Sequence, residues 1–293
     1  NEKKYYDKEI LVYLLENLEK YLIPLLSVKN FKDRGEKLDF AIWSRPVVNF
    51  PGYNLIVEYL LNLKTPVVGR QHGAAYIDCY SPDQHFDMDF NRCTHWLSFA
   101  SNKDIFKKTY GKKKPFCKII PSGNDRFADS KPRREVDILF PITPLNHFLV
   151  SRPIEKEIFT NQKSILETLN KKKNLNIVVK PVINLKQNSF LYHQNIDKYK
   201  NLKSNYYYSL KKYLKIYKPN LVILEFYSTP LYDVIDDNCD IFLLNETIEK
   251  ISSYAKKNLK KRVFLFDKVE NLNKAIKNYD VHKIKKLRNN SFY

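Results

Sequence analysis

The stretch Thr65-Pro66-Val67-Val68-Gly69-Arg70-Gln71-His72-Gly73-Ala74-Ala75-Tyr76 carries the pattern that decides the fold. Its short apolar run predicts a buried strand that ends at Gly69, and a polar cluster with a histidine follows at once. In open α/β sheets, ligands bind just beyond the carboxyl ends of strands, and histidine is the side chain best suited to move a proton near neutral pH. His72 is therefore the first catalytic candidate, and Gly73 would let a substrate approach it closely. The alternative is a histidine that is simply hydrogen-bonded in a loop.

Strands and helices alternate along the rest of the chain. Before residue 129, apolar runs predict four strands, at 38–43, 66–69, 94–99 and 116–120. After residue 135 they predict five more, at 136–140, 176–180, 221–225, 240–244 and 263–266, with helices between them that include one over 206–217. The charged, proline-containing stretch 129–135 is the expected linker. This alternation predicts an α/β protein with two Rossmann-like parallel-sheet domains, 1–128 and 129–293, facing a cleft.

The charge of the chain suggests anionic partners. Its 293 residues carry 51 Lys and Arg against 32 Asp and Glu, a formal net charge of +19, which should attract polyanions, anionic membrane surfaces or phosphate-bearing substrates. An AT-rich genome would also explain the abundance of lysine, and this explanation has equal weight. No apolar run approaches the roughly 20 residues needed to span a bilayer, and no secretory leader is evident. The chain begins with Asn1, which suggests missing N-terminal residues.

Cysteine usage and acidic motifs argue against a metal site. The cysteines are widely spaced, without zinc-ligand spacing, and scattered free thiols indicate a reducing compartment, the cytoplasm: Cys79, Cys93, Cys117 and Cys239. Asp87-Met88-Asp89 has the form of a metal-binding acidic motif, but it follows the histidine stretch in a predicted loop, where a solvated acidic pair is the favoured interpretation. We therefore expect no bound metal and no cofactor.

A second motif lies at Leu221–Asp233, where an apolar run enters the turn Glu225-Phe226-Tyr227-Ser228-Thr229-Pro230. Ser228 or Thr229 can cap the next helix, and proline fits its first turn. Free N–H groups at such a helix start could hold a phosphate. The alternative, an ordinary capped turn between a strand and a helix, needs no ligand.

Together these motifs resemble the bacterial GT-B transferases that build surface carbohydrates, such as CDP-glycerol glycerophosphotransferases and capsule polysaccharide transferases. Gln71-His72-Gly73 is similar to the histidine-glycine motif of their first domain, and Ile119–Asn124 resembles the turn that closes it. Ile138–Pro144 resembles the opening strand of their second domain, and 221–244 resembles their donor-binding segment. The resemblance implies a GT-B fold; only about four strands precede the linker, so the first domain is short for that fold.

The resemblance implies roles for individual residues. His72 would be the general base that deprotonates an acceptor hydroxyl of a growing glycan, with Arg70, Gln71 and Gly73 on the acceptor side. A CMP-, CDP- or UDP-linked donor would contact a set of residues in the turns after the strands: Ser122, Gly123, Asn124, Pro141, Thr143, Lys180, Glu225, Tyr227, Ser228 and Thr229. It also implies a single displacement with inversion that needs no metal, because a helix dipole and basic side chains would stabilise the leaving group.

One departure from the family concerns its second histidine. Many relatives carry Lys-Pro-His-Pro at the end of the middle strand of the second domain, whereas this chain has Lys180-Pro181-Val182-Ile183. Lys180 could hold the donor phosphates instead, as a point charge. The departure leaves the donor class open, and it leaves room for an inactive paralogue.

Two other functions remain open. Glu225 lies at a strand end where an epimerase or hydrolase acting on a nucleotide sugar would place an acid or base. A basic module for polyanions or for an anionic membrane is the non-enzymatic alternative, and the tail His282–Arg288 could lie on anionic headgroups at the inner face of the cytoplasmic membrane. No helix-turn-helix, RNP-like or zinc-finger signature supports nucleic-acid binding.

Overall fold

The computed structural model describes residues 29, 38–43, 51–71, 90–99, 116–122, 134–143, 153–181, 196, 198–205, 207–246, 251, 253–281 and 283. The chain divides into two compact units, with residues 38–71 and 90–122 in the first and residues 134–283 in the second. The predicted boundary between residues 128 and 129 lies outside the described residues and stays a prediction. No helix in the described part of the chain is both long and apolar enough to cross a membrane.

The first unit contains a four-stranded parallel sheet with the order β1-β2-β3-β4. Its elements are β1 (Ala41–Trp43), α1 (Pro51–Asn62), β2 (Val67–Arg70), a 3-10 turn (Phe90–Arg92), β3 (His95–Ser98) and β4 (Lys118–Pro121). All four strands predicted before the linker are therefore present. All four strands pair in parallel; alternate residues of the two central strands, β2 and β3, are buried, whereas Ile42 of β1 is 61% exposed.

Gly69 lies inside β2 and does not end the strand as the sequence suggested. A Cβ at Gly69 would lie 2.4 Å from Cε3 of Trp96, and the Trp96 ring is held edge-on against Phe90 with 5.0 Å between centroids. The glycine is therefore required by the close approach of a large ring to the strand.

The second unit contains a six-stranded parallel sheet with the order β10-β9-β8-β5-β6-β7. Its strands are β5 (Arg134–Ile142), β6 (Ile177–Pro181), β7 (Leu202–Ser204), β8 (Tyr217–Leu224), β9 (Asp240–Leu244) and β10 (Phe264–Phe266). Its helices are α2 (Pro153–Asn170), α3 (Leu210–Ile216), α4 (Thr229–Val234), α5 (Ser253–Leu259) and α6 (Val269–Asn278). The prediction of an α/β fold with two parallel sheets is thus confirmed.

One face of the six-stranded sheet forms a single core with α2 and α6. Alternate strand residues point into it, including Phe140, Val179 and Ile223, and they meet Ile165 of α2 and Leu272 of α6. Every residue of β6 and β9 is buried, as expected for central strands covered on both faces. This core fixes which strand residues face α2 and which face the opposite side.

Two details of the second unit differ from the predicted pattern. The strand β7 was not predicted, and the helix expected over 206–217 is shorter at both ends: α3 begins at Leu210, after its N-cap Ser209, and ends at Ile216, where β8 begins at the next residue. Tyr217 continues the helical spacing of Leu210, Tyr213 and Leu214, but its ring instead stacks on Tyr213 at 4.4 Å.

Candidate functional site

The strand order of the second unit creates a topological switch point between β5 and β8. From β5 the chain proceeds outward to β6 on one side, and from β8 it proceeds to β9 on the other side. In open α/β sheets the crevice at the carboxyl ends of two such strands is the usual ligand site, because the flanking connections leave in opposite directions. Thr143 follows β5 and Glu225 follows β8, so two predicted site residues lie at this point.

Glu225 is buried at the switch point and joins three elements. Its Oε1 accepts a hydrogen bond from the Thr143 backbone N–H at 3.3 Å, and its Oε2 accepts one from Nε2 of Gln162, on α2, at 3.1 Å. The same amide group of Gln162 donates to the Thr143 carbonyl at 2.9 Å. The triangle of Thr143, Gln162 and Glu225 therefore fixes the start of the segment that follows β5.

Burial sets the protonation of Glu225. The side chain is 5% exposed, and desolvation raises the pKa of its carboxyl to about 8, against the opposing effect of the hydrogen bonds from Gln162 and Thr143. A carboxyl with such a pKa can gain or lose a proton near neutral pH. The switch point therefore carries a group that is suited to proton transfer or to binding a hydrogen-bond donor.

Gln162 was not among the predicted site residues. It lies four residues before Leu166 and seven before Leu169, in the buried stripe of α2. A polar side chain within a helical apolar stripe needs a buried partner, and that signal could have marked it.

Lys180 lies on the opposite face of the sheet from Glu225. Val179 points into the core beneath α2, so its neighbour Lys180 points to the other side. The lysine is 2% exposed, its Nζ donates to the Pro181 carbonyl, and burial lowers its pKa to about 8. The structure therefore brings Thr143 and Glu225 together, but it does not add Lys180 to that group.

The turn after β8 is built differently from the predicted capped turn. Ser228 occupies the N-cap position of α4, but its side chain makes no capping hydrogen bond; its hydroxyl donates to the Phe226 carbonyl at 3.3 Å. Tyr227 is buried, and its hydroxyl lies 3.1 Å from that of Tyr232. Thr229 is the first residue of the six-residue helix α4. Neither a side-chain cap nor a long helix therefore explains the serine at this turn.

The remaining second-unit candidate, Pro141, is a buried residue of β5 paired in register with Lys180. It therefore contributes to the sheet itself, one strand residue before the switch-point turn begins.

Polar side chains also tie the strand ends of the first unit together. Gln71 is 1% exposed, and its Oε1 accepts from the Ser98 hydroxyl at 3.2 Å and from the Phe99 N–H at 3.0 Å. The Ser122 hydroxyl donates to the Ser98 carbonyl at 2.9 Å, while Arg70, the last residue of β2, is exposed. The side-chain oxygen of Gln71 thus links the end of β2 to the end of β3. His72, Gly73, Gly123 and Asn124 lie outside the described residues.

Metal ligands do not cluster in the described part of the chain. There, no group of three or more His, Cys, Asp or Glu side chains could hold a metal ion. Three described cysteines, Cys93, Cys117 and Cys239, are buried free thiols, and burial raises the pKa of Cys239 to about 12. The Cys239 thiol is therefore a poor nucleophile, because a buried thiol with a raised pKa is rarely ionised.

No protein-family model and no curated protein matches the chain. Among solved structures, it is similar to the spinosyn rhamnosyltransferase SpnG complexed with spinosyn aglycone, with 8% identity over 92% of this chain and 71% of that chain and a TM-score of 0.48. It is also similar to the glycosyltransferase VinC in complex with dTDP (9% identity, 90% and 72% coverage, TM-score 0.41). Anabaena Alr3699/HepE in complex with UDP gives 11% identity, 90% and 74% coverage and a TM-score of 0.44.

Proposed function

We propose that the chain is a GT-B-type glycosyltransferase that moves a sugar or an alditol phosphate from a nucleotide-activated donor to a growing surface glycan. The observation that carries the proposal is the switch point between β5 and β8, where the buried Glu225 carboxyl meets Thr143 and Gln162. This is where a nucleotide is expected in a sheet of this strand order. The motif resemblance described from the sequence supports a transferase in particular.

In this proposal the donor occupies the carboxyl edge of the six-stranded sheet. Its base lies beside Pro141 and Thr143, and Glu225 and Tyr227 border it. Ser228 and Thr229 offer hydroxyl groups to the phosphates, and Lys180 supplies the positive charge of this edge. An arriving phosphate would favour the protonated form of Lys180, whose pKa is lowered by burial.

The acceptor is proposed to bind at the strand ends of the first unit. His72 would remove the proton of the acceptor hydroxyl as it attacks the donor, with inversion and without a metal. Gln71, tied to Ser98 and Phe99, would hold the backbone immediately before the histidine. Arg70 and Gly73 would border the acceptor, and Ser122, Gly123 and Asn124 would border the donor. We expect this chemistry at the inner face of the cytoplasmic membrane, where lipid-linked acceptors are found.

A second candidate function is favoured by Glu225 itself. A carboxyl with a pKa of about 8 could serve as acid or base in an epimerase or hydrolase that acts on a nucleotide sugar. Turnover of the donor without any acceptor would favour this function over the transferase.

Thermal-shift titration with CMP, CDP, UDP, GDP and dTDP, and with their sugar or alditol conjugates, tests the donor site. We expect one nucleotide to raise the Tm of the wild-type chain and of Glu270→Gln, an exposed residue of α6. The same nucleotide should have little effect on Glu225→Gln, because an amide has one acceptor oxygen and would leave either the Thr143 N–H or the Gln162 amide facing a second donor. Absence of any nucleotide shift in folded wild-type protein, or an equal shift in both variants, would overturn the proposal.

A further inference from the structure

Residues 198–218 have an unusual composition. The segment holds seven lysines, six tyrosines and no acidic residue or arginine; the lysines are Lys198, Lys200, Lys203, Lys211, Lys212, Lys215 and Lys218. It begins just before β7, includes α3 and ends in β8. Because β7 is an edge strand of the six-stranded sheet, the first part of this segment lies at an outer margin of the second unit, whereas β8 pairs with β5 and β9 inside the sheet.

The tyrosines of the segment divide into a packed group and a surface group. Tyr213 is buried and stacks on Tyr217, and burial raises the pKa of Tyr199. Tyr207, by contrast, is 83% exposed. Packing accounts for the first three rings but leaves the exposure of Tyr207 unexplained.

Exposed lysines precede and follow Tyr207 in the chain, on both sides of the turn between β7 and α3. The Nζ of Lys212 lies 5.1 Å from the centre of the Tyr208 ring, next to Tyr207 in the chain. Lys198 and Lys200 are exposed at the start of β7, and the exposed Lys203 lies within it. The Nζ of Lys203 donates to Oδ1 of Asn176, a neutral partner, at 3.1 Å.

We propose that this margin, defined as Lys198, Lys200, Lys203, Tyr207 and Lys212, binds the anionic headgroups of a lipid bilayer. Clustered lysines are attracted to a negatively charged leaflet, and tyrosine favours the interface between headgroups and acyl chains, where its ring is apolar and its hydroxyl is hydrated. The margin combines both features on the surface of one strand edge and one short helix.

The side-chain chemistry favours a bilayer over a nucleic acid. Every cation of the segment is lysine, a hydrated point charge, whereas recognition of individual phosphates and bases favours the planar fork of arginine. A diffuse anionic surface needs charge density but no such geometry.

Protection of the strand edge explains only part of the pattern. A very short edge strand that carries a lysine resists pairing with other chains, and β7 with Lys203 meets that description. An exposed aromatic ring does not protect a strand edge, whereas tyrosine is enriched where proteins meet the headgroup region of a bilayer.

Co-sedimentation of the full chain with vesicles tests the proposal without any need for turnover. One vesicle is phosphatidylcholine alone, and the other contains about one-third phosphatidylglycerol, a negatively charged lipid. The margin variant combines Lys198→Gln, Lys200→Gln and Lys212→Gln. A matched control, Lys257→Gln, Lys261→Gln and Lys274→Gln, removes the same charge from exposed positions near β10, the opposite edge of the sheet.

We expect wild type to bind only the anionic vesicles, the margin variant to bind at least about tenfold more weakly, and the control to change less than about twofold. Tyr207→Ser should weaken most the binding that remains at high salt, where the charge attraction is screened. Three outcomes would overturn the proposal: equal losses in both triple variants, loss only when residues 281–293 are deleted, or wild-type binding to single-stranded oligonucleotides but not to vesicles. An unchanged Tm of the margin variant shows that it is folded.

Discussion

In the six-stranded sheet, the amino ends of the strands (the amino edge) and their carboxyl ends (the carboxyl edge) hold buried charged groups in different ways. At the amino edge the guanidinium of Arg262, 3% exposed, donates to three backbone carbonyls, those of Ile235 at 2.7 Å, Asp237 at 2.5 Å and Cys239 at 3.1 Å. Nearby, the Tyr279 hydroxyl donates to Asp240 at 3.1 Å. At the carboxyl edge the buried cation, Lys180, bonds a single carbonyl.

The two ends of the same sheet therefore differ in how far hydrogen bonds satisfy their buried charged groups. Arg262 joins the end of α4 to the start of β9 through three charge-assisted hydrogen bonds, so backbone carbonyls solvate the buried guanidinium. Burial shifts the pKa values of both Lys180 and Glu225 toward neutrality, a perturbation that is common at functional sites. The amino edge therefore stabilises the fold, and the carboxyl edge holds the groups that we propose for donor binding.

The largest expected effect comes from breaking the amino edge. Arg262→Met would leave three carbonyls without their donor, and we expect the free energy of unfolding to fall by about 4 kcal/mol. Urea denaturation followed by circular dichroism measures this change. Arg134→Met, at an exposed position at the start of β5, should change stability by less than about 0.5 kcal/mol. A comparable loss in the two variants would mean that the carbonyl contacts do not stabilise this edge.

The pH dependence of Glu225 gives the next largest effect. Its pKa is raised from 4.5 to about 8 in the folded chain, so between those values the folded state holds a proton that the unfolded state has released. The free energy of unfolding therefore falls as pH rises, and we expect this carboxyl to contribute about 2 kcal/mol of loss between about pH 6 and pH 8.

Glu225→Gln should remove that part of the slope, which urea denaturation of both chains at several pH values would detect. Glu270→Gln, which changes an exposed carboxyl, should keep the wild-type slope. If the free energy of unfolding depended on pH in the same way in wild type and Glu225→Gln, Glu225 would be ionised throughout this range. The carboxyl edge would then hold no buried acid with a raised pKa.

Replacing the lysine of the carboxyl edge should have the opposite sign from replacing the arginine of the amino edge. Lys180→Met removes a poorly compensated buried charge, so we expect it to raise the free energy of unfolding by about 1 kcal/mol at neutral pH while weakening nucleotide binding. The lysine pKa is lowered from 10.5 to about 8, so the wild type gains stability as pH rises through that range and the advantage of the variant disappears.

Urea denaturation and thermal shift with the identified nucleotide measure the two halves of this prediction. Lys261→Met, at an exposed position, is the control. If Lys180→Met destabilises the chain as Arg262→Met does, both cations are structural and the edges do not differ.

The fold was largely predictable because apolar runs report strands that are buried on both faces. The runs at Leu221–Leu224 and 240–244 lie inside β8 and β9 as expected. The strand β7 was not predicted because Leu202-Lys203-Ser204 has only one apolar residue in three. Backbone pairing with β6 stabilises this strand, and the local sequence does not reveal that pairing. The predicted helix 206–217 began four residues before α3 and ended one residue after it. Its end was misplaced because Tyr217, whose ring stacks on Tyr213, continues the helical spacing.

The sequence could identify site residues that follow strands, but it could not show which of them contact one another. Glu225 and Thr143 follow strands, so a sequence pattern can identify them individually. Their meeting depends on strand order, and the contact of Glu225 with Gln162 spans 63 residues, which no local spacing encodes. Similarly, the sequence does not set the relative phase of β6 and β8, so it could not show that Lys180 and Glu225 point to opposite faces.

The smallest expected effect distinguishes a capping serine from a binding one. Ser209 caps α3, since its hydroxyl accepts from the Lys212 N–H at 3.1 Å, whereas the Ser228 hydroxyl donates to Phe226 and caps nothing. We expect Ser209→Ala to lower the free energy of unfolding by about 1 kcal/mol and Ser228→Ala to lower it by less than about 0.5 kcal/mol. The thermal shift with nucleotide should follow the reverse order, reduced in Ser228→Ala and retained in Ser209→Ala. If Ser228→Ala instead costs as much stability as Ser209→Ala and keeps the full nucleotide shift, Ser228 serves the turn, and the phosphate contact proposed for it is wrong.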